Sequence, residues 1–339
     1  MTSSLVIQTS FLGDTVLTTP LIAELARRGP VDVVTTPASA SLLANNPAIR
    51  SVIPYDKRGA ERGPLGFFRL VFRLRAFAYD AAYLAQGSMR SAALAMYTGT
   101  SRRVGFQTSA GRYLYTDRVE YRDDMHHAAR LLRLAKPDAT PSADEIRPRL
   151  YPGIAERGAV DRFLALHDVE DAPLVALAPG SVWATKRWPY YAELARELAP
   201  HARVVVIGSR DDGSLAGEIR AAAPDRTLDA TGVFSLLGSA ELIRRCSALV
   251  TNDSSPQHLA SAMSTPTVTV FGPTVPTFGF GPLAPGSTTV GLDGLACRPC
   301  DRHGPRKCPL KHWRCMREVT ARDVAARVLD ILSSIRDIT

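Results

Sequence analysis

Short apolar runs recur at residues 5–9, 31–35, 51–54, 174–178, 203–207, 248–251 and 267–271, and most give way to polar or glycine-bearing residues. Runs that are apolar at consecutive positions suit strands covered on both faces, the condition of a parallel sheet. Between them lie segments of helical period at 157–167, from about 190, and at 239–245. The alternation predicts an α/β chain built on doubly wound parallel sheets with helices on both faces. In the stretch 66–84, Phe67, Leu70, Val71, Leu74, Phe77 and Ala78 fall on one helical stripe, which reads as a core-facing side. The closing segment repeats the pattern with Val324, Val328, Leu329, Leu332 and Ile335, opened by Thr320 and Asp323 as a capping pair. A polar, proline-bearing stretch at 138–152 separates two domains, 1–155 and 156–339, and the last helix is free to pack back on the first of them.

Length and composition agree with that division. A chain of 339 residues, 45% hydrophobic and 22% charged, can bury two cores. The opening segment from Met1 lacks a basic, apolar leader pattern, and no run approaches the roughly 18 apolar residues of a spanning helix. A cytoplasmic protein, at most peripheral to a membrane, is the expectation. Charge is uneven: residues 1–150 carry 20 Lys and Arg against 13 Asp and Glu, the rest of the chain 21 against 20. The front half therefore suits an anionic partner, either nucleic acid or a phosphorylated, lipid-linked molecule at an acidic membrane. Arg69 and Arg73, a turn apart and near Arg62 and Arg75, are candidates to meet acceptor phosphates or headgroups; Arg102 and Arg103 are weaker ones.

Three strand-to-helix junctions carry candidate chemistry. In 249–262 an apolar strand runs into Asp253, Ser254 and Ser255 at a helix start, with His258 one turn in and Asp253 or Ser254 as the N-cap. Unpartnered N–H groups and the helix dipole make such a junction fit for phosphate. In 174–189 a strand ends in Pro179, Gly180 and Ser181, followed by Thr185 and Lys186. Glycine admits close backbone approach, the hydroxyls can bond phosphate oxygens, and lysine supplies a mobile point charge. Together these two suggest a diphosphate site. The third junction, 9–21, places Gly13 and Asp14 beyond the first strand, where open α/β sheets hold ligands. Asp14 is the only acid in the first 23 residues and reads either as a general base or as a helix-starting aspartate.

Four of the five cysteines, Cys297, Cys300, Cys308 and Cys315, follow a C-x2-C-x7-C-x6-C spacing in a basic loop. A structural zinc site would order that loop, with His303 and His312 as competing ligands; free packed thiols are the other reading. Cys246 lies in an apolar helical context and reads as core.

Taken together these segments resemble the bacterial heptosyltransferases, glycosyltransferase family 9. The likeness rests on residues 12–20 (LGDTVLTTP), 45–47 (NNP), 103–106 (RVGF), 178–181 with 186–189 (APGS and KRWP), and 252–260 (NDSSPQHLA). The cysteine loop is similar to that of the lipopolysaccharide heptosyltransferase II branch. Ser255 departs from the glycine usual at its position. The resemblance implies a GT-B architecture, two Rossmann-like doubly wound domains facing across a cleft, the first binding acceptor and the second ADP-heptose. It implies inverting transfer to the inner core of lipopolysaccharide at the cytoplasmic face of the inner membrane. Asp14 would be the general base and Gly13 would line the acceptor side with Arg62, Arg69 and Arg73. Gly180, Ser181, Thr185, Lys186, Asp253, Ser254, Ser255 and His258 would bind the donor.

No Asp-x-Asp pair marks a metal clamp on the diphosphate, so the chemistry is expected to need no cofactor, helix N-termini and Lys186 serving instead. Two rival functions remain: another nucleotide-sugar enzyme of the same architecture, such as an epimerase or a transferase of a different sugar, and a zinc-containing nucleic-acid-binding protein. The paired phosphate-type turns and the lack of aromatic stacking motifs argue against nucleic acid as a partner.

Overall fold

The computed structural model describes residues 2–169 and 172–336; Met1, and Glu170 and Asp171 ahead of the fourth expected strand, lie outside the described residues. The chain divides into two compact units, residues 1–151 and 152–339. The division falls four residues ahead of the expected 155/156 boundary. The helix Ile154–Leu166, entered through Gly153 with Glu156 accepting the Gly153 N–H at 2.8 Å, packs on the helix Leu236–Arg244 of the second unit.

Each unit is built on a six-stranded, all-parallel sheet. The first holds β1 (Ser4–Gln8), β2 (Val31–Thr35), β3 (Ser51–Pro54), β4 (Ala81–Leu84), β5 (Arg102–Phe106) and β6 (Asp117–Val119), in the order β3-β2-β1-β4-β5-β6. The second holds β7 (Leu174–Ala178), β8 (Arg203–Val206), β9 (Thr227–Asp229), β10 (Ala248–Asn252), β11 (Thr267–Phe271) and β12 (Thr288–Gly291), in the order β12-β11-β10-β7-β8-β9. Read from its far edge, the second order is that of the first, the Rossmann arrangement. The direction of winding reverses between β1 and β4, and again between β7 and β10, so each unit opens a crevice at the carboxyl ends of those strands. β1, β2, β7, β10 and β11 are buried along their whole length, which is why they stand out as apolar runs.

One predicted element is corrected. The stretch 66–84 is not a continuous helix: the helix is Pro64–Arg75, Ala78 turns into the left-handed region at φ 48, and β4 begins at Ala81. Phe77 leaves the stripe to stack on Tyr79 at 5.8 Å between ring centres, with the Arg50 guanidinium 5.4 Å above it. Arg50 and the Tyr79 hydroxyl both donate to Asp32, a buried carboxylate on β2. This buried acid and its two donors fix the chain reversal more strongly than local helical preference.

The last helix, Ala321–Arg336, opens on a reciprocal cap: the Asp323 N–H donates to Thr320 Oγ1 at 3.2 Å and the Thr320 N–H to Asp323 Oδ2 at 3.3 Å. Its apolar face, Val324, Ala325, Val328, Ile331 and Leu332, joins Trp188, Tyr191 and Met316 in the core of the second unit. That face is packed within its own unit. Among the described residues no helix is long and apolar enough to cross a membrane.

Candidate active site

In the first unit, the chain leaving β1 passes Thr9 and Ser10 and enters the short helix Leu12–Leu17, with buried Gly13 and then Asp14 in its first turn. Asp14 Oδ2 lies 2.7 Å from the Ser10 hydroxyl, which also sits 2.6 Å from Gln8 Oε1. Gln8 Nε2 donates to Thr18 Oγ1, and that hydroxyl donates to the Asp14 carbonyl at 2.7 Å, so the turn is braced from both sides. Asp14 Oδ1 faces His127 Nε2 at 3.8 Å. Among the described residues His127 supplies the only basic nitrogen within ion-pair range of Asp14. Burial holds this imidazole below its usual pKa; the Asp14 carboxylate opposes the shift and Arg130 adds to it. Asp14 is thus a partly exposed carboxylate beside a buried histidine.

A lysine also reaches the carboxyl end of β1. Lys57 Nζ donates to the Thr9 carbonyl at 2.7 Å and Thr9 Oγ1 at 3.1 Å, and Thr9 Oγ1 donates to Gln86 Oε1 beyond β4. Burial, with Arg58 and Arg90 nearby, lowers the Lys57 pKa. Sequence reasoning missed both His127 and Lys57, because each is more than 40 residues from Asp14 and carries no motif of its own. Arg62, Arg69 and Arg73 stand on the surface instead, two of them on the outer side of the helix Pro64–Arg75. Arg103 is spent on the carbonyls of Leu114 and Thr100.

In the second unit the two phosphate-type junctions meet at the carboxyl ends of β7 and β10. Asn252 joins them: its Nδ2 donates to the Pro179 carbonyl at 2.9 Å and its Oδ1 accepts the Trp188 N–H at 3.0 Å. Lys186 Nζ lies 2.6 Å from Asp253 Oδ2, and both side chains are close to buried. Thr274 Oγ1 donates to the same oxygen at 2.7 Å, while Gln257 Nε2 donates to Asp253 Oδ1 at 3.0 Å. The expected cap of the helix Ser255–Met263 is therefore corrected. Asp253 is engaged by Lys186, Thr274 and Gln257, and Ser254, although in the N-cap position, makes no side-chain cap. Its hydroxyl lies 3.4 Å from both the Asn252 carbonyl and Thr251 Oγ1. His258 is buried one turn into that helix, and Ser255 begins it half-buried.

Gly180 and Thr185 make close contacts within the protein. A Cβ on Gly180 would fall 2.4 Å from Asp212 Oδ1, so the close approach this glycine permits is to the Asp212 carboxylate. The Thr185 hydroxyl is buried and donates to the Pro305 carbonyl. That bond lays the cysteine loop over the Lys186 turn, where Trp183 also stacks on His303 and the Cys300 N–H donates to the Pro273 carbonyl. The cysteine loop thus lies over the Lys186 turn of the second unit. Its thiols are free: Cys297 Sγ lies 3.7 Å from His312 Nε2, Cys300 Sγ donates to the Cys297 carbonyl, Cys308 is half-buried and Cys315 is buried. Among the described residues no three His, Cys, Asp or Glu side chains are gathered as a metal ligand set. Ser181 stays near the surface, its hydroxyl accepting the Trp183 N–H at 3.3 Å.

Comparison with known proteins matches this geometry to a family. A sequence profile for glycosyltransferase family 9 (heptosyltransferase) covers residues 67–313. Lipopolysaccharide heptosyltransferase 2 of Escherichia coli is 31% identical over 301 residues, 81% of this chain and 84% of that protein. Lipopolysaccharide heptosyltransferase 1 of Pseudomonas aeruginosa is 30% identical, covering 87% and 85%. The solved structure of the E. coli ADP-heptose LPS heptosyltransferase II superposes with a TM-score of 0.78 at 26% identity, covering 99% of this chain and 100% of that one. Two doubly wound Rossmann-like units, each with a crevice at the strand-order reversal, are the parts of a GT-B enzyme, and the chain belongs to glycosyltransferase family 9, the heptosyltransferases.

Proposed function

We propose that this enzyme transfers heptose from ADP-heptose to a hydroxyl of the lipopolysaccharide inner core, inverting the anomeric carbon, as a heptosyltransferase II. The observation that carries the reading is the placement of Asp14, a carboxylate at the carboxyl end of β1 with one hydroxyl contact and a buried imidazole as its basic neighbour. In the transfer, the acceptor O–H gives its proton to Asp14 as its oxygen bonds to the anomeric carbon. The bond from that carbon to the diphosphate breaks, and ADP leaves with the charge. Lys186, the hydroxyls of Ser181, Ser254 and Ser255, and the first-turn N–H groups of the helix Ser255–Met263 would face that growing charge. Gly180, Thr185, Asp253 and His258 would shape the same wall. Gly13 would line the acceptor side.

In this reading the chemistry needs no cofactor. A structural zinc on Cys297, Cys300, Cys308 and Cys315 would order the loop and take no part in the transfer. The type II assignment follows the similarity of the cysteine loop, since both types occur among the relatives. A core acceptor anchored on lipid A would place the enzyme in the cytoplasm, peripheral to the inner face of the inner membrane, with no nucleic acid as partner. Thermal-shift titration with a panel of nucleotide sugars, followed by transfer to truncated cores with and without a first heptose, tests the proposal. ADP-heptose should stabilise the protein most, and the heptosylated core should accept the sugar. Conversion of the donor to an isomer without acceptor would make the protein an epimerase instead.

A further inference from the structure

The helix Pro64–Arg75 has two apolar faces. Gly66, Leu70, Val71 and Leu74 are buried, the last three in the core of the first unit, with Phe67 packed against it. On the opposite side Leu65, Phe68 and Phe72 are 84, 41 and 67% exposed. At about 100° per residue these three lie within about 60° of one another, on the pole that points away from the core. Arg69 and Arg73 follow on one flank and Arg75 on the other, all exposed. The half-exposed ring of Tyr97 widens the patch, meeting Phe68 edge-on at 5.7 Å. Residues 62–78 contain four arginines and no acid.

An isolated exposed leucine means little, but an outward pole built of one leucine and two phenylalanines is a contact surface. Its flanks select the partner. Cations on both sides, without one compensating acid, are complementary to a surface that is apolar at depth and anionic above. An amphipathic helix lying in a lipid interface meets this description, its arginine stems extending along the apolar zone to carry their charges up to phosphates. We infer that this face seats the first unit on an anionic bilayer, with Leu65, Phe68 and Phe72 entering the acyl boundary and Arg69, Arg73 and Arg75 on headgroup phosphates.

The inference deepens the proposed function, since a lipid-anchored acceptor is found at such a surface, but it is tested without turnover, so the two can fail separately. The full chain is floated with vesicles of phosphatidylcholine containing about 30% phosphatidylglycerol, and with phosphatidylcholine alone. Binding to the anionic vesicles, weakening as salt rises, is expected. The Leu65→Ser/Phe72→Ser double variant should bind roughly tenfold or more weakly, with unchanged melting temperature and unchanged transfer to a water-soluble acceptor. Arg69→Gln/Arg73→Gln should lose binding by about tenfold or more. Failure of the parent chain to float, equal binding to both vesicles, or undiminished binding by the Leu65/Phe72 variant would overturn the inference.

Discussion

Lys186 Nζ and Asp253 Oδ2 stand 2.6 Å apart where the two phosphate-type turns of the second unit meet. The cation best placed to grip a diphosphate is already held by an acid from the neighbouring turn, so a ligand oxygen at this site must share it. Removing one member leaves the other charge buried and unpaired, at a cost of about 3–5 kcal/mol. Lys186→Met should therefore lose stability and weaken ADP binding together. Adding Asp253→Asn removes the stranded charge and should recover most of the stability, but not the affinity. Urea unfolding and calorimetric titration with ADP, run on both variants, separate the two effects. Recovery of ADP affinity in the double variant would make the lysine a structural partner only.

Asp14→Asn keeps the size of the side chain and an oxygen for the Ser10 hydroxyl, but it cannot accept the acceptor's proton. Transfer should fall by about 10²- to 10⁴-fold while ADP binds as before. Single-turnover assays alongside the ADP titration check this. Unchanged turnover would remove Asp14 from the mechanism.

His127 ties pH to the same carboxylate. Its folded-state pKa is lowered by burial, so it contributes stability that is present above the unfolded value near 6.5 and is lost as pH falls from there toward the folded value. His127→Gln should flatten stability across that window. Because the Asp14 carboxylate pulls the pKa back up, Asp14→Asn should move the imidazole titration to still lower pH. Following the ring resonances of His127 by NMR in both proteins measures the shift. Identical titrations would show that the 3.8 Å separation carries no coupling.

The sequence made β1, β2, β7, β10 and β11 legible and three of the four edge strands illegible, for one reason. β1, β7, β10 and β11 are covered on both faces, so burial writes itself as an apolar run. β6 and β9 are three-residue edge strands, and β12 is partly exposed, so neither period nor hydrophobicity marks them. Ala81, Ala82, Tyr83 and Leu84 of β4 are buried too, but their composition suits a helix as well, and only the Asp32, Arg50 and Tyr79 contacts decide between them. The same limit applies to the site. Asp14, Lys186 and Asp253 sit inside continuous motifs and were legible. His127, Lys57 and Thr274 reach the sites only through the fold, and the Thr185 bond to Pro305 is a loop closure across 120 residues.

The late cysteines offer a readout that does not depend on turnover. Burial, with Cys300, Cys308 and Cys297 adding to it, pushes the Cys315 thiol up to about 11, and burial raises Cys246 as well. A reagent must reach the sulfur, so the half-buried Cys297, Cys300 and Cys308 should react first with an aromatic disulfide reagent, while the buried Cys246 and Cys315 wait for unfolding. A zinc ion would have to draw the four thiols of the loop and its helix together as one ligand set. One equivalent of zinc should then protect the loop thiols as a set, and a chelator should release them. Reactivity unchanged by zinc would leave this loop held by the Thr185, Arg298 and Cys300 N–H bonds and the Trp183–His303 stack.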